Sequence, residues 1–398
     1  MRKRAEGRRG STKSTAMLLA CAVALTACST IEPNAATEEP QPTLNVSNED
    51  ETSGEDLIEK EVKAEIDRIS PEDMTPGQQL VHFRDVIIPS LIPERGADYE
   101  ARIRYLWDDI ADSEKPALPL PPAVTMGLLK PLDTPHKVNG PFLLEFPVSG
   151  EQSEPSPAVL IFPGGGYAFR SEKFEGLHVA EWLNEHGISA FVLNYRLSAD
   201  PVPLEDARLA MALLRSEAAA YNIDPARIGV MGFSAGGHLA ATLSTLYDDE
   251  TRAPLPQPYT DYSTRPDFSA LAYPVITMRP PYTHQGTRGI ITGGDLSDAR
   301  LESLSAELLV NSATPPAFVW STITDEIVPY QNSQMYADAM EAHGVPYRLE
   351  FYDTGPHGVG LAQDEPDANV WPAQFIDWLN EIEVLRRSWV NTLQLLRV

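Results

Sequence analysis

The sequence predicts an α/β fold: a mostly parallel central sheet with helices on both faces, preceded by a disordered polar tether and a short helical N-terminal region. Between about 126 and 379, short apolar runs alternate with longer stretches of helical periodicity, as expected for parallel strands buried on both faces. Within that region Ile228–Met231 leads into Gly232-Phe233-Ser234-Ala235-Gly236, and a helix-forming run follows from Gly237 to Leu246. This reads as strand, sharp turn, helix. The region holds about 250 residues, ample for one large core.

The chain starts with Arg2, Lys3, Arg4, Arg8, Arg9 and Lys13 against the single acid Glu6, and continues into an apolar stretch, Ala16 to Ala27, too short to span a bilayer as a mature helix. Residues 1–27 therefore read as an export signal. The signal ends in Leu25-Thr26-Ala27-Cys28, which resembles the bacterial lipobox. The resemblance implies a lipidated Cys28 at the mature N-terminus, a lipoprotein facing periplasm or exterior, and membrane contact through that lipid only. The other cysteine, Cys21, lies inside the signal, so no intramolecular disulfide is expected. Residues 28–72 read as an acidic flexible tether: 29 to about 56, rich in Thr, Glu, Pro, Asn and Ser, bury too little to offset ordering entropy, and Leu57–Ile69, with helical spacing of apolar residues amid charges, reads as a short surface helix or part of the tether. Residues 73–125 read as a helical extension: Gln78 to Ile110 is more apolar, and Pro116 to Pro122 is an extended connector.

Charge excludes some partners. The whole chain has 31 Lys+Arg against 57 Asp+Glu, a net charge of −26. Residues 1–27 carry six of the bases and one of the acids, so the remainder has 25 against 56, a net charge of −31. Such a surface repels nucleic acid and anionic headgroups, and a neutral substrate fits it better.

Residues 126–398 read as the catalytic domain. Its expected strands are Phe142–Phe146, Ala158–Phe162, Ser189–Leu193, Arg227–Met231, Ser269–Ala272, Ala317–Ser321 and Tyr347–Tyr352. Its expected helices are Phe174–His186, Leu204–Tyr221, Ser234–Tyr247, Arg300–Leu309, Tyr330–His343 and Trp371–Ile382. At the turn after the fourth strand, Ser234 would project its hydroxyl from the sheet's end. The flanking glycines suit a turn where side chains would collide with strand and helix.

Pro163-Gly164-Gly165-Gly166-Tyr167 follows the second strand. Three glycines in a row let main-chain N–H groups approach an atom that side chains would block. In acyl transfer that atom is the carbonyl oxygen as it becomes an oxyanion, and each donor contributes roughly 3 kcal/mol. No Lys-Ser/Thr pair follows the glycines, which argues against a nucleotide P-loop.

A serine nucleophile needs a base, and the base needs an orienting acid. Of the eight histidines, two precede the sheet; His178 and His186 read as surface or capping residues, His238 as packing, and His343 as a helix C-terminal residue. His284 sits in a polar loop that could approach the site. His357, in Thr354-Gly355-Pro356-His357-Gly358 after the last strand, is the expected base. Asp325, beyond the carboxyl end of Ala317–Ser321, is the expected acid. Its competing reading is a helix N-cap or turn residue; Glu326 is the reserve, with Asp295 and Asp298 more remote. The order Ser234, Asp325, His357 is the one α/β-hydrolases use, distinct from both protease orders.

Pro163-Gly164-Gly165-Gly166-Tyr167, Asn194-Tyr195-Arg196, Asp206 before a long helix, Gly232-Phe233-Ser234-Ala235-Gly236-Gly237-His238, Asp325 with Val328-Pro329, and His357-Gly358 together resemble the α/β-hydrolase esterases related to acetylxylan and feruloyl esterases. The segment His284-Gln285-Gly286-Thr287-Arg288 is similar to a His-x-Gly-Ser-Arg stretch in that group. The resemblance covers roughly Phe142 to Leu379. It implies hydrolysis of carboxylic esters on small molecules or oligosaccharides, with no metal or organic cofactor. It assigns the oxyanion donors to the N–H groups of Gly165, Gly166 and Ala235. Pro163 stands where hormone-sensitive-lipase-like esterases have histidine, which favours the carbohydrate-esterase side. Competing readings are a prolyl-oligopeptidase-type peptidase, for which the chain lacks room for a propeller, a general short-chain esterase, a lipase, and a non-catalytic binding lipoprotein.

Overall fold

The seven expected apolar runs all become strands of one sheet; central ones such as Ala158–Phe162 and Ala317–Ser321 are buried on both faces, and Tyr347–Tyr352 at the edge is half-buried. The computed structural model describes residues 102–107, 109–110, 140–150 and 152–385, all within the unit Leu91–Val398. The signal at 1–27, Cys28, the tether at 28–72 and most of the extension at 73–125 lie outside the described residues.

In chain order the strands are β1 Ile103–Tyr105, β2 Phe142–Phe146, β3 Ser156–Phe162, β4 Ser189–Asn194, β5 Ile223–Phe233, β6 Ser269–Ala272, β7 Ala317–Thr322 and β8 Tyr347–Tyr352. They lie in the order β1-β2-β4-β3-β5-β6-β7-β8. The β1–β2 and β2–β4 pairs are antiparallel, and every later pair is parallel. Successive side chains point to opposite faces. Ala158, Leu160 and Phe162 thus enter one core while Val159 and Ile161 enter the other. On the first face pack α2 Val202–Ser216, α4 Ala235–Leu246 and α7 Gln331–Ala342; on the second, α1 His178–Glu185 and α8 Trp371–Glu381. Shorter helices α3 Ala218–Tyr221, α5 Gln285–Ile291 and α6 Asp298–Ser303 complete the list among the described residues.

Four expectations need correction. Ile103–Tyr105, inside the stretch read as a helical extension, is instead a strand. Its alternating Ile-Arg-Tyr pairs with Leu144, Leu143 and Phe142, and the Tyr105 and Phe142 rings meet edge to face. The sheet therefore begins before residue 126. The single helix expected over Leu204–Tyr221 breaks at Glu217, whose φ of −100° and ψ of 12° separate α2 from α3. The helix expected over Arg300–Leu309 divides into α6 and a 3₁₀ turn, Ala306–Leu308. The Phe174–His186 helix opens as a π-turn, Lys173–Leu177, before α1.

Candidate active site

Ser234 sits between the end of β5 and the start of α4 at φ 53° and ψ −118°, a conformation that costs a non-glycine residue about 1–3 kcal/mol. The turn is tight. A methyl group on Gly236 would lie 2.0 Å from the Phe162 carbonyl oxygen, and one on Gly232 would lie 2.1 Å from the Gly236 oxygen. Glycine is therefore required on both sides of the serine, as the sequence implied.

The loops after β7 and β8 bring Asp325 and His357, respectively, to this turn. Ser234 Oγ lies 2.7 Å from His357 Nε2, and His357 Nδ1 lies 2.6 Å from Asp325 Oδ2. With the proton on Nδ1, the imidazole donates to Asp325 and accepts from the serine hydroxyl. The Asp325 side chain is 1% exposed and that of His357 is 7% exposed, so neither bond competes with bulk water. Asp325 Oδ1 accepts from the Ile327 and Val328 N–H groups, each at 2.9 Å. Both readings of Asp325 are thus true at once: one oxygen caps a turn while the other faces the histidine. The two loops are also tied together, since Thr324 Oγ1 donates to Gly355 O at 3.1 Å and accepts from Gly355 N–H at 3.0 Å.

The remaining candidates separate cleanly. Glu326, Asp295 and Asp298 are exposed, and none bonds His357 among the described residues. His186 and His343 donate from Nδ1 to the carbonyls of Trp182 and Ala339 in their own helices. His178 is exposed beside the Phe174 ring. His238 is buried: it accepts from Tyr167 Oη at 2.9 Å and donates to Leu304 O at 2.8 Å, and burial pushes its titration downward. His284 does approach the site. It caps α5 by accepting from the Thr287 N–H, and a methyl group on Gly166 would lie 3.9 Å from its Cε1. Burial, with the neighbouring His357, pushes it down to about 4.

Gly165, Gly166 and Tyr167 have φ values of 124°, 65° and 60°, so the chain curls in the left-handed region directly after β3. Among the described residues no protein acceptor takes the N–H groups of Gly165, Gly166 or Ala235, the three donors assigned to an oxyanion. The Gly164 N–H is taken, at 2.8 Å, by Glu175. Three side chains hold this loop: Tyr195 and Tyr167, which the sequence showed only as motif letters without a role, and Glu175, which it did not single out. Tyr195 Oη donates to Pro163 O at 2.6 Å, Tyr167 is anchored by His238, and Glu175 bonds both Gly164 and Tyr273. The Arg196–Asp206 part of the motif is a buried support: the Asp206 carboxylate accepts from Arg196 N–H at 2.8 Å and from its guanidinium at 2.7 Å. Among the described residues no group of three His, Cys, Asp or Glu could hold a metal ion.

Comparison with known proteins agrees with this fold. The family described as BD-FAE matches residues 144–340. The chain is 37% identical over 213 residues to endo-1,4-beta-xylanase B of Butyrivibrio fibrisolvens and 36% identical over 210 residues to an acetylxylan esterase of Xylanibacter ruminicola. Those matches cover 52% and 51% of this chain but only 33% and 41% of those relatives. The solved acetyl ester-xyloside bifunctional hydrolase of Caldicellulosiruptor lactoaceticus is 36% identical and superposes with a TM-score of 0.62, covering 71% of this chain and 97% of that one. The sheet order, the serine turn with its histidine and aspartate loops, and a match along nearly all of a solved hydrolase place the chain in the esterase family of the α/β-hydrolases.

Proposed function

We propose that the chain is a serine carboxylesterase that removes acetyl or other acyl groups from carbohydrate through an acyl-enzyme. The hydrogen-bonded series from Ser234 through His357 to Asp325, at 2.7 and 2.6 Å, carries the reading. His357 takes the Ser234 proton as the hydroxyl attacks the ester carbonyl, and Asp325 holds the tautomer and stabilises the imidazolium. The N–H groups of Gly165, Gly166 and Ala235 receive the oxyanion. The imidazolium then protonates the leaving alcohol, and water, deprotonated by the same histidine, releases the acid. Support for a carbohydrate ester comes from Pro163 ahead of the glycines and from the xylan-related names of similar proteins. Export and tethering through Cys28 are proposed from the sequence alone; loss of labelled fatty-acid incorporation in Cys28→Ala is the expected check.

The test is a panel of acetylated and feruloylated xylo-oligosaccharides beside p-nitrophenyl acetate, with Ser234→Ala as the control. Ser234→Ala should lose activity by orders of magnitude while keeping its fold. Full activity in that variant would sink the mechanism, and activity on aryl esters alone would reduce the reading to a general short-chain esterase.

A further inference from the structure

A second carboxylate lies behind the site, in a position that the reaction scheme above does not use. Glu175, on the π-turn Lys173–Leu177, is only 2% exposed. Its Oε2 accepts from Gly164 N–H at 2.8 Å. Its Oε1 accepts from Tyr273 Oη at 2.8 Å, and that phenol in turn accepts from Gly360 N–H at 2.9 Å. The Tyr273 ring packs on the His357 ring, with centroids 4.9 Å apart and planes at 67°. A methyl group on Gly164 would lie 2.8 Å from Glu175 Oε2 and 2.9 Å from Ser234 Cβ, so carboxylate and nucleophile flank the same glycine. One buried side chain therefore touches the start of the glycine loop and, through one phenol, the loop that carries His357.

The donors around it favour its charged form. The N–H groups of Gly164 and Gly360 can only donate, so the Tyr273 proton must point at Glu175, and both carboxylate oxygens act as acceptors. Burial pushes the Glu175 titration upward, while His357, Tyr273, Gly164 and the Ser171 side chain favour its charged form. Tyr273 itself is pushed well above the usual phenol range and stays protonated. A buried anion without partners would be costly; here Gly164 N–H and the Tyr273 hydroxyl both donate to it, and His357, behind Tyr273, becomes a cation during the reaction.

We propose that Glu175 is a positioning residue: as an anion it fixes Gly164 and, through Tyr273, the His357 loop, and it sets a negative charge against the imidazolium that His357 becomes. The proposal rests on the assignment of Ser234 and His357 given under Proposed function. The groups facing His357 are Asp325 from the loop after β7, Tyr273 with Glu175 behind it from the end of β6, and His284 from the start of α5. Glu365, near Gly355, flanks its own loop. Asp325, His284 and Glu365 are unchanged by a substitution at 175, so the difference between variants isolates Glu175.

The experiment compares pH profiles of kcat/KM for p-nitrophenyl acetate in the full chain, Glu175→Gln, Glu175→Asp, Tyr273→Phe and Ser234→Ala. Glu175→Gln keeps the size and removes the charge. Its kcat should fall by about 10–100-fold with KM changed by less than about threefold, and the acid limb should move to lower pH by about 0.5–1 unit, because less negative charge opposes loss of the histidine proton. Glu175→Asp restores the charge and should return the limb to its wild-type position even where kcat stays low; a role in holding the fold alone would not separate these two variants in pH. Tyr273→Phe removes only the linking hydroxyl and should lower kcat about tenfold at constant KM, which keeps the proposal testable should a 175 variant fail to fold. An unmoved acid limb in folded Glu175→Gln, or undiminished kcat in Tyr273→Phe, overturns the proposal. An inactive wild type or a fully active Ser234→Ala overturns instead the assignment beneath it.

Discussion

Replacing Asp325 by Asn tests the acid with a single atom. The two oxygens of Asp325 are not equivalent: Oδ1 accepts two backbone N–H groups at 2.9 Å, and Oδ2 faces His357 Nδ1 at 2.6 Å. An asparagine has one orientation that avoids setting its NH₂ against those backbone donors, an arrangement that would cost about 1–3 kcal/mol for each unmet group. Its oxygen therefore takes the Oδ1 position, and its NH₂ points at His357 Nδ1. That nitrogen must then accept, so the ring proton moves to Nε2 and faces Ser234 Oγ, 2.7 Å away, where a base is needed. The imidazolium also loses its facing charge. The same exchange in a serine-protease triad lowers kcat by about 10⁴, or about 5.4 kcal/mol of barrier at roughly 1.36 kcal/mol per tenfold. Steady-state hydrolysis of p-nitrophenyl acetate should show that fall in kcat with KM little changed, and the rate of fluorophosphonate labelling should drop with it. A kcat within tenfold of wild type would refute the assignment of Asp325.

Two further outcomes follow from the packing around His284 and the glycines. His284, held down to about 4 when folded, takes up a proton near 6.5 when unfolded. The unfolded chain thus binds the extra proton between those values, and stability falls as pH drops through that window, by at most about 1.4 kcal/mol per pH unit. His284→Asn keeps a helix cap that does not titrate, so wild-type melting temperature should decline relative to this variant only below about pH 6.5; parallel curves from pH 4 to 8 would contradict it. Gly236→Ala drives a methyl group to 2.0 Å from Phe162 O, whereas nothing lies within 4 Å of one added at Gly289 in α5. Thermal melts should show the first variant severely destabilised and the second stabilised by about 0.5–1 kcal/mol, the usual gain for alanine over glycine in a helix.

The parts of the fold that depend on local pattern were legible. Apolar runs such as Ala158–Phe162 and Ala317–Ser321 must be buried on both faces, and they are. Ser234, Asp325 and His357 could be placed because each follows a strand end, where an open α/β sheet gathers its chemistry. Features set by distant partners were not legible. The three residues of β1 give too short an alternation to stand out, and their strand exists because β2 offers an edge. The helix after Arg300 is interrupted by Ser305, whose hydroxyl donates to Leu301 O at 2.7 Å while accepting from Met278 N–H at 3.0 Å; nothing local reveals the second partner. Glu175 sits in Glu172-Lys173-Phe174-Glu175, which reads as a solvated helix start, yet its partners lie 11 and 98 residues away. The sequence put Asp325 ahead of Glu326; what it left unread is the turn that directs the first carboxylate at His357 and leaves the second exposed.

The strain at Ser234 explains why the glycines alone would not suffice. Its backbone conformation costs about 1–3 kcal/mol, and a serine free to relax would rotate its hydroxyl out of line with His357. The surroundings forbid this. Ser234 N–H donates to Ala272 O at 3.0 Å, and Ser234 O accepts from His238 N–H at 3.1 Å and Val275 N–H at 3.0 Å. At about 0.5–1.5 kcal/mol net for each bond, the three together match or exceed the strain, so the turn is held by β6, the loop after it and α4 at once. Two of those supports return to the site. His238 anchors Tyr167 in the glycine loop, and Tyr273, directly after Ala272, meets both Glu175 and His357. Disturbing the strained serine would therefore disturb the glycine loop and His357 as well. Ser234, His357 and that loop are preorganised as one unit, so that on the proposed mechanism little reorganisation remains when an ester arrives.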